Sequence, residues 1–97
     1  MVDLGSYRYL DMEQALQIYR DRARSLEQRH FEMMLELETM IPGPGEPQPA
    51  FQARQAAMHA NLAAVASELM REYERVDRTE RAIAQKLAEE QSRGKAS

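Results

Sequence analysis

Two histidines, sixteen carboxylates and no cysteine limit the chemistry open to this chain. His30 and His59 lie in different segments, and no His-Glu-x-x-His spacing puts two imidazoles on one helical face for zinc. Glu27 stands three residues before His30, the spacing of carboxylate metal sites in four-helix bundles. Those sites take two such pairs, and Ala56 occupies the equivalent place before His59. Glu32 with Glu36, and Glu68 with Glu72, are four-residue repeats without a histidine, expected on solvated faces. His30 is expected as a half-buried packing residue. His59, in a charge-free stretch, is expected to hydrogen-bond across an interface. Without cysteine there is no thiol nucleophile, disulfide framework or cysteine-ligated zinc. Phosphate-cradling glycine loops are missing as well. The expectation is a non-enzyme with no catalytic, cofactor-binding or metal-binding residues.

The elements that position these residues follow from the helix breakers. All four prolines (Pro42, Pro44, Pro47, Pro49) fall within eight residues of a 97-residue chain, together with Gly43 and Gly45. Proline lacks an amide hydrogen and pushes the residue before it out of the helical region. The segments on either side contain no breaker, so the sequence predicts an N-terminal arm at 1–10, a helix over 11–41, a stiff turn at 42–49, a helix over 50–91 and a disordered tail at 92–97. Asp11 is the expected cap of the first helix, with Gln14 as its capping-box partner. At 1.5 Å per residue the helices would be about 45 Å and about 60 Å long, so the second is expected to overhang the first.

The apolar spacing indicates how they pack. Met12, Leu16, Tyr19, Ala23, Leu26, His30, Met33, Leu37 and Met40 follow one another in steps of four and three, the heptad seam of a coiled coil. A second stripe of Ala15, Ile18, Phe31, Met34, Leu35 and Ile41 widens this face. On the second helix the seam reads Leu62, Val65, Leu69, Tyr73, Val76, Ile83 and Leu87. Between Gln55 and Ser67 no residue is charged, and seven of thirteen are Ala or Val, so close approach by neighbouring helices is expected. Glu74–Arg78 and Asp77–Arg81 are acid-before-base pairs four apart. The fold class is all-α: an antiparallel two-helix hairpin, expected to dimerise into a four-helix bundle because two helices cover only one side of each other. Leu16, Tyr19, Leu26, Met33, Leu37, Met58, Leu62, Val65 and Leu69 are the expected partner interface. The methionines suit core packing and adaptable partner binding alike.

The hairpin, with no cysteine and about one hundred residues, resembles the small WXG-type proteins exported by bacterial type VII secretion. Tyr73-Glu74-Arg75-Val76-Asp77 is similar to that family's Tyr-x-x-x-Asp/Glu export motif, and Val76-x-x-x-Glu80-x-x-Ile83-x-x-x-Leu87 to its spaced apolar tail. The resemblance implies that Tyr73 and Asp77 make the export contact, and that Val76, Glu80, Ile83 and Leu87 dock on the secretion ATPase. The chain departs from the family in having no tryptophan, and Pro42-Gly43-Pro44-Gly45, between Ile41 and Phe51, replaces the Trp-x-Gly turn. That departure implies a heterodimer whose partner supplies the turn half.

The functional expectation is a helical-hairpin protein that pairs with itself or a similar small partner. It would be exported by a type VII-like machine or target a partner to it. The alternatives are a cytosolic helical adaptor or chaperone for a larger effector, and a structural coiled-coil subunit. No apolar run approaches the roughly 18–20 residues that cross a bilayer. The N-terminal residues lack the basic start and apolar stretch of a cleaved signal. The expected location is therefore the cytoplasm, before export without a cleaved signal peptide, or the cytoplasm alone. A net charge of −3 speaks against electrostatic nucleic-acid binding.

Overall fold

The computed structural model describes residues 4–96, with side-chain surroundings for 11–94. It contains two helices, α1 (Leu4–Thr39) and α2 (Gln48–Ala96), and no strand among the described residues. The all-helical hairpin is as the proline cluster predicts. Both helices are longer than expected at their outer ends. α1 begins at Leu4, so Asp11 lies inside the helix and caps nothing, and the expected arm at 1–10 is helical from Leu4 onward. α2 runs on through the expected tail to Ala96. Gly5 and Gly94 are tolerated near helix ends at about 1 kcal/mol each relative to alanine. Residues 1–3 and Ser97 lie outside the described residues.

α1 ends where Pro42 forbids continuation. The Thr39 hydroxyl donates to the Leu35 carbonyl at 2.8 Å, and the Met40 amide to the Leu37 carbonyl at 3.4 Å, satisfying part of the last turn. The connection is a tight turn. Glu46 N–H donates to Gly43 C=O at 3.0 Å, Pro44 fixes the first central position, and Gly45 takes φ +70° at the second. This is the signature of a type II turn, whose third residue requires positive φ. The Glu46 carboxylate accepts from the Gly43 amide at 2.9 Å, closing the turn from the other side. Arg54, one turn into α2, forks the same carboxylate with two bonds of 2.7 Å and reaches the Ile41 carbonyl at 3.2 Å. Its guanidinium lies 5.5 Å from the Phe51 ring centre. The Arg54 bonds, followed by the Gly43 amide, lower the Glu46 carboxyl from its ordinary 4.5 to about 2. The same pairing raises the Arg54 guanidinium. Pro47 C=O accepts from both Ala50 and Phe51 N–H at 3.1 Å, which starts α2 at Gln48, with Pro49 in its first turn.

The chain divides into two compact units. The turn unit, Arg24–Met70, buries Phe51 and Val65 and half-buries Leu26, His30, Met33, Leu37, Met40, Gln55, Met58, Leu62, Ala66 and Leu69. The terminal unit, described over 4–23 and 71–96, buries Leu16, Ala23 and Ile83 and half-buries Met12, Tyr19, Val76, Thr79 and Lys86. An Arg20–Glu80 ion pair of 3.1 Å ties its two helical segments. In each unit the inward positions keep the four-three alternation, so the α1 seam is as the spacing predicts. On α2 the register corrects three expectations, one of them at Leu87, which is 40% exposed while Lys86 takes the seam position after Ile83. The step after Leu69 is three residues, which turns Glu72 inward to 7% exposure and leaves Tyr73 outside. Two successive steps of four would have over-rotated the stripe away from its partner helix. Glu72 is thus not on a solvated face, and Tyr73 is not in the seam.

Candidate partner-binding surface

The nine residues expected to face a partner are used within the hairpin. Leu16 and Val65 are buried, and Tyr19, Leu26, Met33, Leu37, Met58, Leu62 and Leu69 are half-buried, by the chain's own helices. A heptad stripe cannot reveal which helix it will meet, and a neighbour eight residues away in the chain meets it first. The large apolar residues of α1 left exposed belong to the second stripe.

In the turn unit, Phe31, Met34 and Leu35 are 61%, 40% and 44% exposed, and Ile41, just beyond the end of α1, is 75% exposed. Spacings of three and four residues place Phe31, Met34 and Leu35 on one face of α1. Arg24 lies seven residues before Phe31 and Glu38 seven residues after it, both exposed on that same face. In the terminal unit the expected stripe is sparse: Ile18 is half exposed, and Ala15 is half-buried. The second stripe is therefore concentrated in the turn unit.

The residues carried over from the secretion-family resemblance separate into two groups. Tyr73 is 41% exposed and Asp77 is exposed, four residues apart on one face of α2, with the Asp77 carboxylate 3.2 Å from Arg81. The other expected pair on this segment, Glu74–Arg78, does not form among the described residues. The expected docking tail is largely engaged. Ile83 is buried, Val76 half-buried, and Glu80 paired with Arg20. Leu87 remains 40% exposed, beside a hollow of about 400 Å³ that Leu16 and Ile83 also line. Glu13, Leu16 and Arg20 of α1 lie beside Glu80, Ile83 and Leu87, so this part of α2 is not an unpaired overhang.

No family model, curated protein or solved structure matches this chain. Its function is therefore argued from the surface itself.

Among the described residues, no group of three His, Asp or Glu side chains comes together as metal ligands. His30 is half-buried in the seam as expected, and His59 is exposed. Glu32, Glu36 and Glu68 are exposed. Two polar features were not foreseen. One is the Glu46–Arg54 clip, which an acid and an arginine eight residues apart across a helix start do not advertise. The other is Glu72, whose Oε1 accepts from Arg75 at 2.6 Å while Oε2 is buried without a hydrogen-bond partner. Strict continuation of the four-three count through Leu69 is the signal that finds Glu72.

Proposed function

We propose that this chain is a non-enzymatic helix-pairing protein that joins a second small helical hairpin, a copy of itself or a similar chain, in a four-helix arrangement. The supporting observation is Phe31, Met34 and Leu35 on one face of α1, with Ile41 just beyond its end, large apolar side chains that the hairpin leaves exposed. Isolated exposed apolar residues need no explanation, but an ordered cluster beside a closed seam favours occupation by another helix.

The more specific form of this reading is passage through, or targeting to, a type VII-like secretion machine. It rests on the resemblance at Tyr73 and Asp77, and their shared exposure on α2 is compatible with recognition. Export of a tagged chain from a host with such a machine is expected to depend on its ATPase. Tyr73→Ala is expected to abolish export while leaving pairing intact. Unchanged export of the variant would defeat the secretion reading. The burial of Ile83 favours a second reading: a helical adaptor that presents its α1 face to a larger effector and has no need of a free tail. Protection of residues 73–87 from limited proteolysis in the purified complex is the outcome expected of the adaptor.

A further inference from the structure

We propose that the terminal unit carries a binding site for an aliphatic carboxylate, in two joined hollows on one flank of its helix pair. The site is independent of the pairing reading, whose residues lie in the turn unit.

The first hollow, of about 300 Å³, is lined by Tyr19, Arg75, Arg78 and Thr79. The second, of about 360 Å³, shares Tyr19, Arg78 and Thr79 with it and adds Asp11, Met12, Ala15 and Ala82. From Met12 to Tyr19 the lining runs about 10 Å along α1. One end is thus cationic and the middle apolar, with Asp11 at the far end.

The donors at the cationic end are not used up within the chain. Neither the Arg78 guanidinium nor the half-buried Tyr19 hydroxyl has a hydrogen bond or ion pair among the described residues. Arg75 gives Nη1 to the buried Glu72 carboxylate at 2.6 Å, which balances its charge and leaves its other donors. The Thr79 hydroxyl donates to the Arg75 carbonyl at 2.7 Å, so it has no proton to offer. Arg22, three residues after Tyr19, is exposed and lines neither hollow.

This balance selects the ligand. Arg78 is the uncompensated cation of the lining, and it matches one negative charge. A planar guanidinium holds a carboxylate by two parallel bonds, and the Tyr19 hydroxyl supplies a third. A dianionic phosphate would bring its second charge toward Glu72. Met12, Ala15 and Ala82 take an aliphatic stem, and Asp11 repels a second carboxylate at the stem's end.

Titration of the full chain with octanoate, below its micellar concentration and followed by NMR amide shifts, tests the site. Shifts are expected in the segments that line the hollows. Octanoate is expected to bind about tenfold more tightly than acetate, which has no stem, or octylammonium, which carries the wrong charge. Arg78→Gln is expected to weaken octanoate binding about tenfold and Tyr19→Phe about threefold, each by loss of a donor. Arg81→Gln, whose cation pairs with Asp77 at 3.2 Å outside both hollows, is expected to bind as wild type does. Circular dichroism of each variant checks that the helices persist. Absence of octanoate binding, equal binding of acetate or octylammonium, or indifference to both Arg78→Gln and Tyr19→Phe would overturn the inference. So would an equal loss in Arg81→Gln, which would reduce the effect to general charge attraction. None of these results bears on the pairing reading.

Discussion

Glu72 occupies a seam position between Leu69 and Val76, and one of its oxygens is buried without a hydrogen-bond donor. A buried acceptor without a partner costs about 1–3 kcal/mol, and the exposed side of the Arg75 pair recovers little of it. Glu72→Leu should therefore raise the urea midpoint, by about 1–3 kcal/mol in unfolding free energy. A lower midpoint would show that the carboxylate is satisfied in solution. Glu46 has the opposite character, a surface carboxylate held charged by Arg54 and the Gly43 amide, with its carboxyl at about 2 rather than 4.5. A depressed carboxyl contributes stability that is complete above its unfolded value and lost as pH falls toward its folded one. Acidification from about pH 5 to about pH 2.5 should therefore lower the melting temperature of the wild type more than that of Glu46→Gln. Equal falls would mean that the clip does not form. Neither residue is legible from its type. Glu72 is hidden because Tyr73, next to it, is the residue that apolar periodicity prefers. Glu46 is hidden because its partner depends on where α2 starts.

The helices and their turn were largely legible, since prolines act through their own covalent geometry wherever they stand. The seam on α1 was legible for a similar reason, because nine positions in a four-three alternation leave one face to bury. The outer helix ends were not, because neither a breaker nor a decisive cap marks them and the chain continues helical past Asp11 and Gln91. Within the turn the two glycines differ in role. Gly45 adopts φ +70°, where an added Cβ meets no atom within 4 Å, so its constraint is conformational alone. Gly45→Ala should cost about 1–2 kcal/mol. Gly43→Ala places its Cβ 3.8 Å from the Glu46 carboxylate, an ordinary contact, and should be nearly neutral. Equal effects in thermal melts would contradict the type II assignment. Phe51, buried beneath Arg54 in the first turns of α2, anchors the turn unit, and Phe51→Ala should cost about 3 kcal/mol. Against a stability near the lower end of the usual 5–15 kcal/mol, such a loss is expected to be visible as fraying of the α2 start in hydrogen exchange.

At the scale of the molecule, the described side chains include only five buried apolar residues, and none is fully enclosed. A core this thin is what two helices provide, and small scaffolds of this kind depend on added burial, oligomerisation included. The sequence pointed to the need for company, with the expected interface on the seam, whose residues the hairpin itself buries or half-buries. Seam residues are the most regular, yet a helix joined by a short turn claims them first, and the less regular Phe31, Met34 and Leu35 are left exposed. On the proposed reading this outer face, and not the seam, is read by another chain. Multi-angle light scattering of the wild type beside Phe31→Ser/Leu35→Ser tests it most directly. The wild type should have twice the chain mass at micromolar concentration. The double variant, with unchanged helical circular dichroism, should run at the mass of one chain. A double variant that remains dimeric with its helices intact would place the contact elsewhere and contradict the account.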